Sequence, residues 1–155
     1  MLNEDYKDML LALSDENVKF ILVGAYALAA HGYPRATMDM DIWVMPFPDN
    51  AEAVLRALSR FGAPLDKITK EDLQQEGTVF QIGVAPRRID IITSASGLRF
   101  ERAYQNSILL NIDGIDVHIL SIDDLIITKR STGKTQDIAD AEALESLKTP
   151  KNGIA

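Results

Sequence analysis

Between residues 18 and 44 the hydrophobic period changes twice, which limits the chain to folds where a short helix packs beside two sheet strands. Val18-Lys19-Phe20-Ile21-Leu22-Val23 is a β-branched and aromatic run that reads as a strand, ended by Gly24. Residues 25–32 are alanine-rich and apolar, as suits a short helix lying close on a sheet, and Gly32-Tyr33-Pro34 stops it. After a turn over residues 34–37, residues 38–44 alternate. Successive strand side chains take opposite faces, so Met38, Met40, Ile42 and Val44 point one way and Asp39, Asp41 and Trp43 the other.

The remaining elements follow the same signals. Tyr6, Met9, Leu10 and Leu13 recur at helical spacing behind Asn3, predicting a capped helix over residues 3–14. Asp49 is placed to cap a helix of residues 50–61. Residues 62–77 read as a polar connection with one helical turn near 70–75. Strands are expected over 78–84 and 88–93, joined as a hairpin, and over 108–112 and 115–120 around Asp113-Gly114, the stronger hairpin signal. A short helix is expected over 98–106, and Ser121 heads helices of residues 122–131 and 135–147 with Gly133 between them. Strands interleaved with helices and two antiparallel hairpins predict an α+β fold, a mixed sheet flanked by helices. Residues 1–148 are expected to form a single domain and 149–155 a frayed tail; pattern alone does not order the strands.

Composition narrows the chemistry. The 155 residues contain no cysteine, which excludes disulfides and thiolate metal sites, and only His31 and His118, too few for a histidine-rich zinc site. A metal would therefore be a hard cation held by carboxylates. No apolar run reaches the roughly 18 residues of a membrane span. The acidic, polar N-terminus lacks the pattern of a secretory signal, so a cytoplasmic protein is expected. A net charge of −7 argues against non-specific binding along duplex nucleic acid, but leaves room for a nucleotide or an RNA end in a local basic pocket. The positive clusters are Arg87-Arg88, Arg99 to Arg102 and Lys129 to Lys134, each read as a solvated face unless a site claims it.

Asp39 and Asp41 stand two apart on one strand face, about 7 Å apart at the backbone, so both carboxylates can converge on cations in front of the sheet. Asp90, in the apolar run Ile89-Asp90-Ile91, is the best third acid. Two magnesium ions roughly 3.5–4 Å apart in such a set activate a hydroxyl and stabilise the leaving oxygen at phosphorus. Gly24, between a strand and a helix, would let a phosphate approach the backbone amides.

Gly24-Ala25, His31-Gly32, Arg35, Thr37, Asp39-Met40-Asp41 and the distant Asp90 together resemble the signature of the polymerase-beta-type nucleotidyltransferase superfamily. The nearest resemblance is to small bacterial members, including nucleotidyltransferases of abortive-infection and toxin-antitoxin systems. Lys129, Lys134 and Asp137 resemble a later motif of those relatives. The resemblance implies a nucleotidyltransferase-like fold and transfer of a nucleoside monophosphate from a nucleoside triphosphate to a hydroxyl on RNA, protein or a small molecule. It implies Asp39 and Asp41 as catalytic metal ligands, Asp90 as a catalytic metal ligand or a residue that helps activate the acceptor hydroxyl, two Mg2+ ions with Mn2+ as a substitute, Gly24 and Ala25 at the nucleotide, and Arg35, Thr37 and Lys129 as phosphate or positioning residues. An antitoxin partner or a homo-oligomer is compatible with it. Ala25 departs from the pattern, since relatives carry serine or a second glycine there. The lost hydroxyl is worth about 1 kcal/mol and would weaken nucleotide binding. A non-catalytic nucleotide-binding or partner-binding protein of the same fold is the alternative. Ser131-Thr132-Gly133-Lys134-Thr135 is not a P-loop, because Thr128 stands where its first glycine is required.

Overall fold

The computed structural model describes residues 2–33, 39–84 and 86–148. Helix α1 (Glu4–Asp15) opens as its spacing predicts, with the Asn3 side chain accepting from Tyr6 N at 2.9 Å and with Tyr6, Met9, Leu10 and Leu13 buried. Strand β1 (Phe20–Val23) is buried along its whole length, and helix α2 (Gly24–Ala30) follows it directly. Strand β2 (Met40–Val44) leads to helix α3 (Pro48–Phe61). Asp49 does not cap that helix: Pro48 takes its start, with Phe47 at the N-cap. Proline needs no N–H partner there and is preset for helical φ, so the helix begins earlier than the acid. The buried Asn50 of α3 accepts from Lys19 N at 2.8 Å and donates to Lys19 O and Met45 O, both at 3.0 Å. It thereby pairs polar backbone groups where the β1–β2 ladder ends.

A single 3-10 turn at Asp72–Gln74 precedes strands β3 (Val79–Ile82) and β4 (Ile89–Ile92). Helix α4 (Phe100–Asn106), strands β5 (Ile108–Ile112) and β6 (Ile115–Ile119), and helices α5 (Ile122–Thr132) and α6 (Thr135–Lys148) complete the described residues. Both expected hairpins form, β3 with β4 and β5 with β6. Asp113 and Gly114 take φ of 51° and 88°, the two positive values a tight two-residue turn requires.

The six strands form one mixed sheet in the order β3-β4-β2-β1-β6-β5. β1 runs antiparallel to β2 and parallel to β6, and β2 runs parallel to β4. A four-residue Phe-Ile-Leu-Val strand at the sheet centre, covered on both faces, explains why β1 shows no alternation. On β2, Met40, Ile42 and Val44 are fully buried. The opposite face is not a solvent strip either, because Trp43 is 1% exposed and meets Phe100 edge-on at 5.2 Å between ring centroids. Only the acid-bearing start of β2 on this face remains accessible. Among the described residues no helix is long and apolar enough to cross a membrane.

Candidate active site

The parallel pairing of β2 and β4 sets Asp41 directly opposite Asp90. Two neighbouring interior strands, almost fifty residues apart in the chain, thus bring the Asp-x-Asp pair and the distant acid together. Gly24, at the β1–α2 junction, packs against them. Its φ is +66°, and a Cβ there would lie 2.2 Å from Asp41 Oδ2. The sequence motivates this glycine by phosphate approach; the structure adds that the space beside its Cα already belongs to the Asp41 carboxylate. Gly24, Ala25, Leu28, Asp39, Asp41, Arg88 and Lys129 line a cleft of about 200 Å³. Cavities of about 260 Å³ beside Trp43 and Phe100 and about 450 Å³ beside Lys19 and Asn50 contain none of these three acids.

Burial, and after it the crowding of three acids, perturbs the site. The Asp41 carboxyl is pushed up to about 6, first by burial and then by the charges of Asp90 and Asp39, against the lowering effect of Arg88. Tyr6 is raised to about 12, mainly by burial and then by Tyr26 and Asp39, so its phenol stays a neutral donor. Its hydroxyl donates to Arg88 O at 3.1 Å and Pro86 O at 3.3 Å.

Arg88 is the residue that sequence reasoning missed. Its Nη2 lies 3.1 Å from Asp39 Oδ2 and 3.2 Å from Asp90 Oδ2. The Gln81 amide, with its oxygen turned to the guanidinium, accepts from Arg88 Nη1 at 3.1 Å and Nε at 3.2 Å. The expectation of a solvated basic face therefore holds for the exposed Arg87 and fails for Arg88. Period two offered the signal, since Arg88 precedes Asp90 by two residues and shares its face.

The donor chemistry fits a hard divalent cation. All three acids supply oxygen only, and among the described residues Asp39 Oδ1 and Asp90 Oδ1 are buried without a hydrogen-bond partner. Among the described residues, however, no three His, Cys, Asp or Glu side chains stand ready as an ion cage. The Arg88 guanidinium bridges two of the acids instead.

Lys129 reaches the same cleft from α5, which begins where the Ser121 side chain accepts from Asp124 N at 3.1 Å. The Lys129 ammonium is held from behind by α6, with Asp137 Oδ1 and Asp140 Oδ2 each 3.3 Å away. Asp140 is wholly buried and also accepts from Tyr33 Oη at 3.2 Å and Gln136 Nε2 at 3.0 Å. Lys129 is thus aimed rather than free to solvate. Asp140 had no sequence signal beyond sharing a helix with Asp137. Ala25 lines the cleft, whereas Arg35 and Thr37 lie outside the described residues. His31 is structural, with Nε2 2.8 Å from Leu120 O.

The fold is that of nucleotidyltransferases. A Thermotoga maritima protein assigned as a nucleotidyltransferase, TM1012, superposes with a TM-score of 0.58 at 16% identity, over 94% of each chain. The antibiotic-resistance factor ANT(2'')-Ia superposes with a TM-score of 0.55 at 14% identity, over 96% of this chain and 84% of its own. The chain belongs to the family described as nucleotidyltransferase of unknown function (DUF6036), whose model matches residues 1–149. No curated protein sequence matches it.

Proposed function

We infer that the chain moves a nucleoside monophosphate from a nucleoside triphosphate to a hydroxyl acceptor, with pyrophosphate leaving. The observation that carries this reading is the β2–β4 register, which sets Asp41 opposite Asp90 and beside the Gly24 turn. Asp39, Asp41 and Asp90 would hold magnesium, or manganese in its place. Such ions, when bound, supply Lewis acidity toward the attacking and leaving oxygens. The chain's own residues position the reactants. Gly24 and Ala25 line the cleft where a triphosphate would lie, and Lys129 brings a fixed positive charge to it. Family membership supports the transferase class, and the acceptor is read by experiment.

Incubation of the protein with each α-labelled nucleoside triphosphate, magnesium, and RNA, protein or small-molecule extract tests the reading. Label is expected to pass to one of the three pools, which names the acceptor class. No transfer with any triphosphate overturns the enzyme reading. The lost hydroxyl at Ala25 and the guanidinium seated among the acids favour a second reading, a nucleotide-binding protein without turnover. It predicts nucleotide-dependent thermal stabilisation in the absence of labelling.

Asp140→Asn removes one of the two anions behind Lys129. Loss of a hydrogen bond to a charged group costs about 1–3 kcal/mol, eased here because Asp137 remains. Denaturant unfolding is expected to show that loss, and the KM for the triphosphate to rise severalfold with a smaller change in kcat. An unchanged KM would make the pair purely structural.

A further inference from the structure

Arg88 binds its surroundings at two levels. Its backbone is fixed: the carbonyl accepts from Met40 N at 3.0 Å within the sheet and from Tyr6 Oη at 3.1 Å. Among the described residues its side chain is held at the guanidinium, by Asp39 and Asp90 on one edge and the exposed Gln81 on another. The side chain is 36% exposed, so the guanidinium has an open path toward solvent on a stem that can swing. One nitrogen satisfies a single oxygen of each acid, and among the described residues Asp39 Oδ1 and Asp90 Oδ1 stay buried and unpaired. Among the described residues Arg88 is the one cation in ion-pair contact with these acids, and one positive charge against three carboxylates leaves the cluster under-compensated. A divalent ion would match it better, and would draw on the same two carboxylates that the guanidinium bridges.

We propose that Arg88 is a resident counter-cation filling the cation position between Asp39 and Asp90, so that the guanidinium and a divalent ion compete for the same carboxylates. The ion then enters with a nucleotide whose phosphates draw Arg88 off the acids, because the planar guanidinium finds an equal partner in a phosphate. Metal alone binds poorly, and metal and nucleotide bind cooperatively. The proposal rests on reading the three acids as a cation site.

Titration of the nucleotide-free full chain with Mn2+, followed by the electron paramagnetic resonance of the free ion, tests it. Arg88→Met keeps an unbranched side chain and drops the charge, and is expected to bind Mn2+ at least tenfold tighter than the wild type. Adding Asp90→Asn to Arg88→Met should abolish the gain, which locates the ion among the acids. Equal or weaker Mn2+ binding by Arg88→Met overturns the proposal, as does a gain that survives Asp90→Asn. Should Arg88→Met fail to fold, the Nε–H resonance of Arg88 in the wild type gives the second readout. It is expected to hold its position with Mg2+ alone and to shift on saturation with Mg2+ and a non-hydrolysable triphosphate. A fixed resonance under saturation overturns the competition while leaving the nucleotidyltransferase reading intact. Absence of any metal–nucleotide binding by either protein overturns both.

Discussion

Asp41→Asn is expected to lower nucleotidyl transfer about a thousandfold or more while making the protein more stable at neutral pH. The first effect follows from the role proposed for the acid: an amide is a far poorer ligand for a hard cation, and metal-assisted charge stabilisation is worth several kcal/mol, with about 1.4 kcal/mol per factor of ten. The second follows from the raised Asp41 carboxyl. Its value of about 6 in the folded protein stands above the ordinary 3.8, so the folded state holds this proton more tightly than the unfolded chain. The resulting stability is fully present below pH 3.8 and is lost as pH rises through 6. Above that, ionised Asp41 is a cost of about 3 kcal/mol at most, and nearer 1–2 after solvent screening of a partly accessible group. Asparagine removes the charge and can donate to Asp90, the hydrogen bond that the aspartate makes only when protonated. Thermal unfolding of the two proteins in metal-free buffer should therefore diverge at pH 8 and converge near pH 4. A variant that is less stable than the wild type at pH 8 would mean that the acids do not repel one another as placed.

This opposition between stability and activity marks the part of the site that pattern reading could reach. Asp39, Asp41 and Gly24 lie within one strand-turn-helix-strand run, where period two and a breaker residue are local signals. Asp90 was legible for a different reason: a carboxylate amid isoleucines is costly unless something uses it. What pairs with what was not legible. The β2–β4 contact is a long-range parallel pairing, decided by how buried strands and covering helices fill one core, and no local residue announces it. Arg88 shares the face of Asp90 by period two, but its role exists only once β4 lies beside β2 and Asp39 comes within reach. Asp140 is silent in the sequence for the same reason, since its partner Lys129 sits on the preceding helix and the pairing depends on how α5 and α6 cross. The start of α3 shows a smaller case, in which two competing local signals, Pro48 and Asp49, resolve in favour of the residue that loses nothing at a helix's first turn.

Gly24→Ala is the second variant of large effect. Transfer is expected to fall at least a hundredfold and stability by about 2–4 kcal/mol. Two costs add. At φ +66° an alanine Cβ crowds its own backbone, worth about 1–2 kcal/mol. The same Cβ would sit 2.2 Å from Asp41 Oδ2 and 3.1 Å from its Cγ, so the carboxylate must leave its place opposite Asp90. Displacing a reacting group's support by an ångström is enough to cost about a hundredfold in rate. A double-mutant cycle separates the two costs. With Asp41→Ala the contacts at 2.2 and 3.1 Å vanish and only the one to Cβ at 3.2 Å remains, so Gly24→Ala in that background should cost only the backbone strain. The coupling read from denaturant unfolding is then about 1–2 kcal/mol, within the range for residues in direct contact. If Gly24→Ala costs the same whether or not the Asp41 carboxylate is present, the glycine is needed only for its dihedral angles, and it does not hold the acid in register.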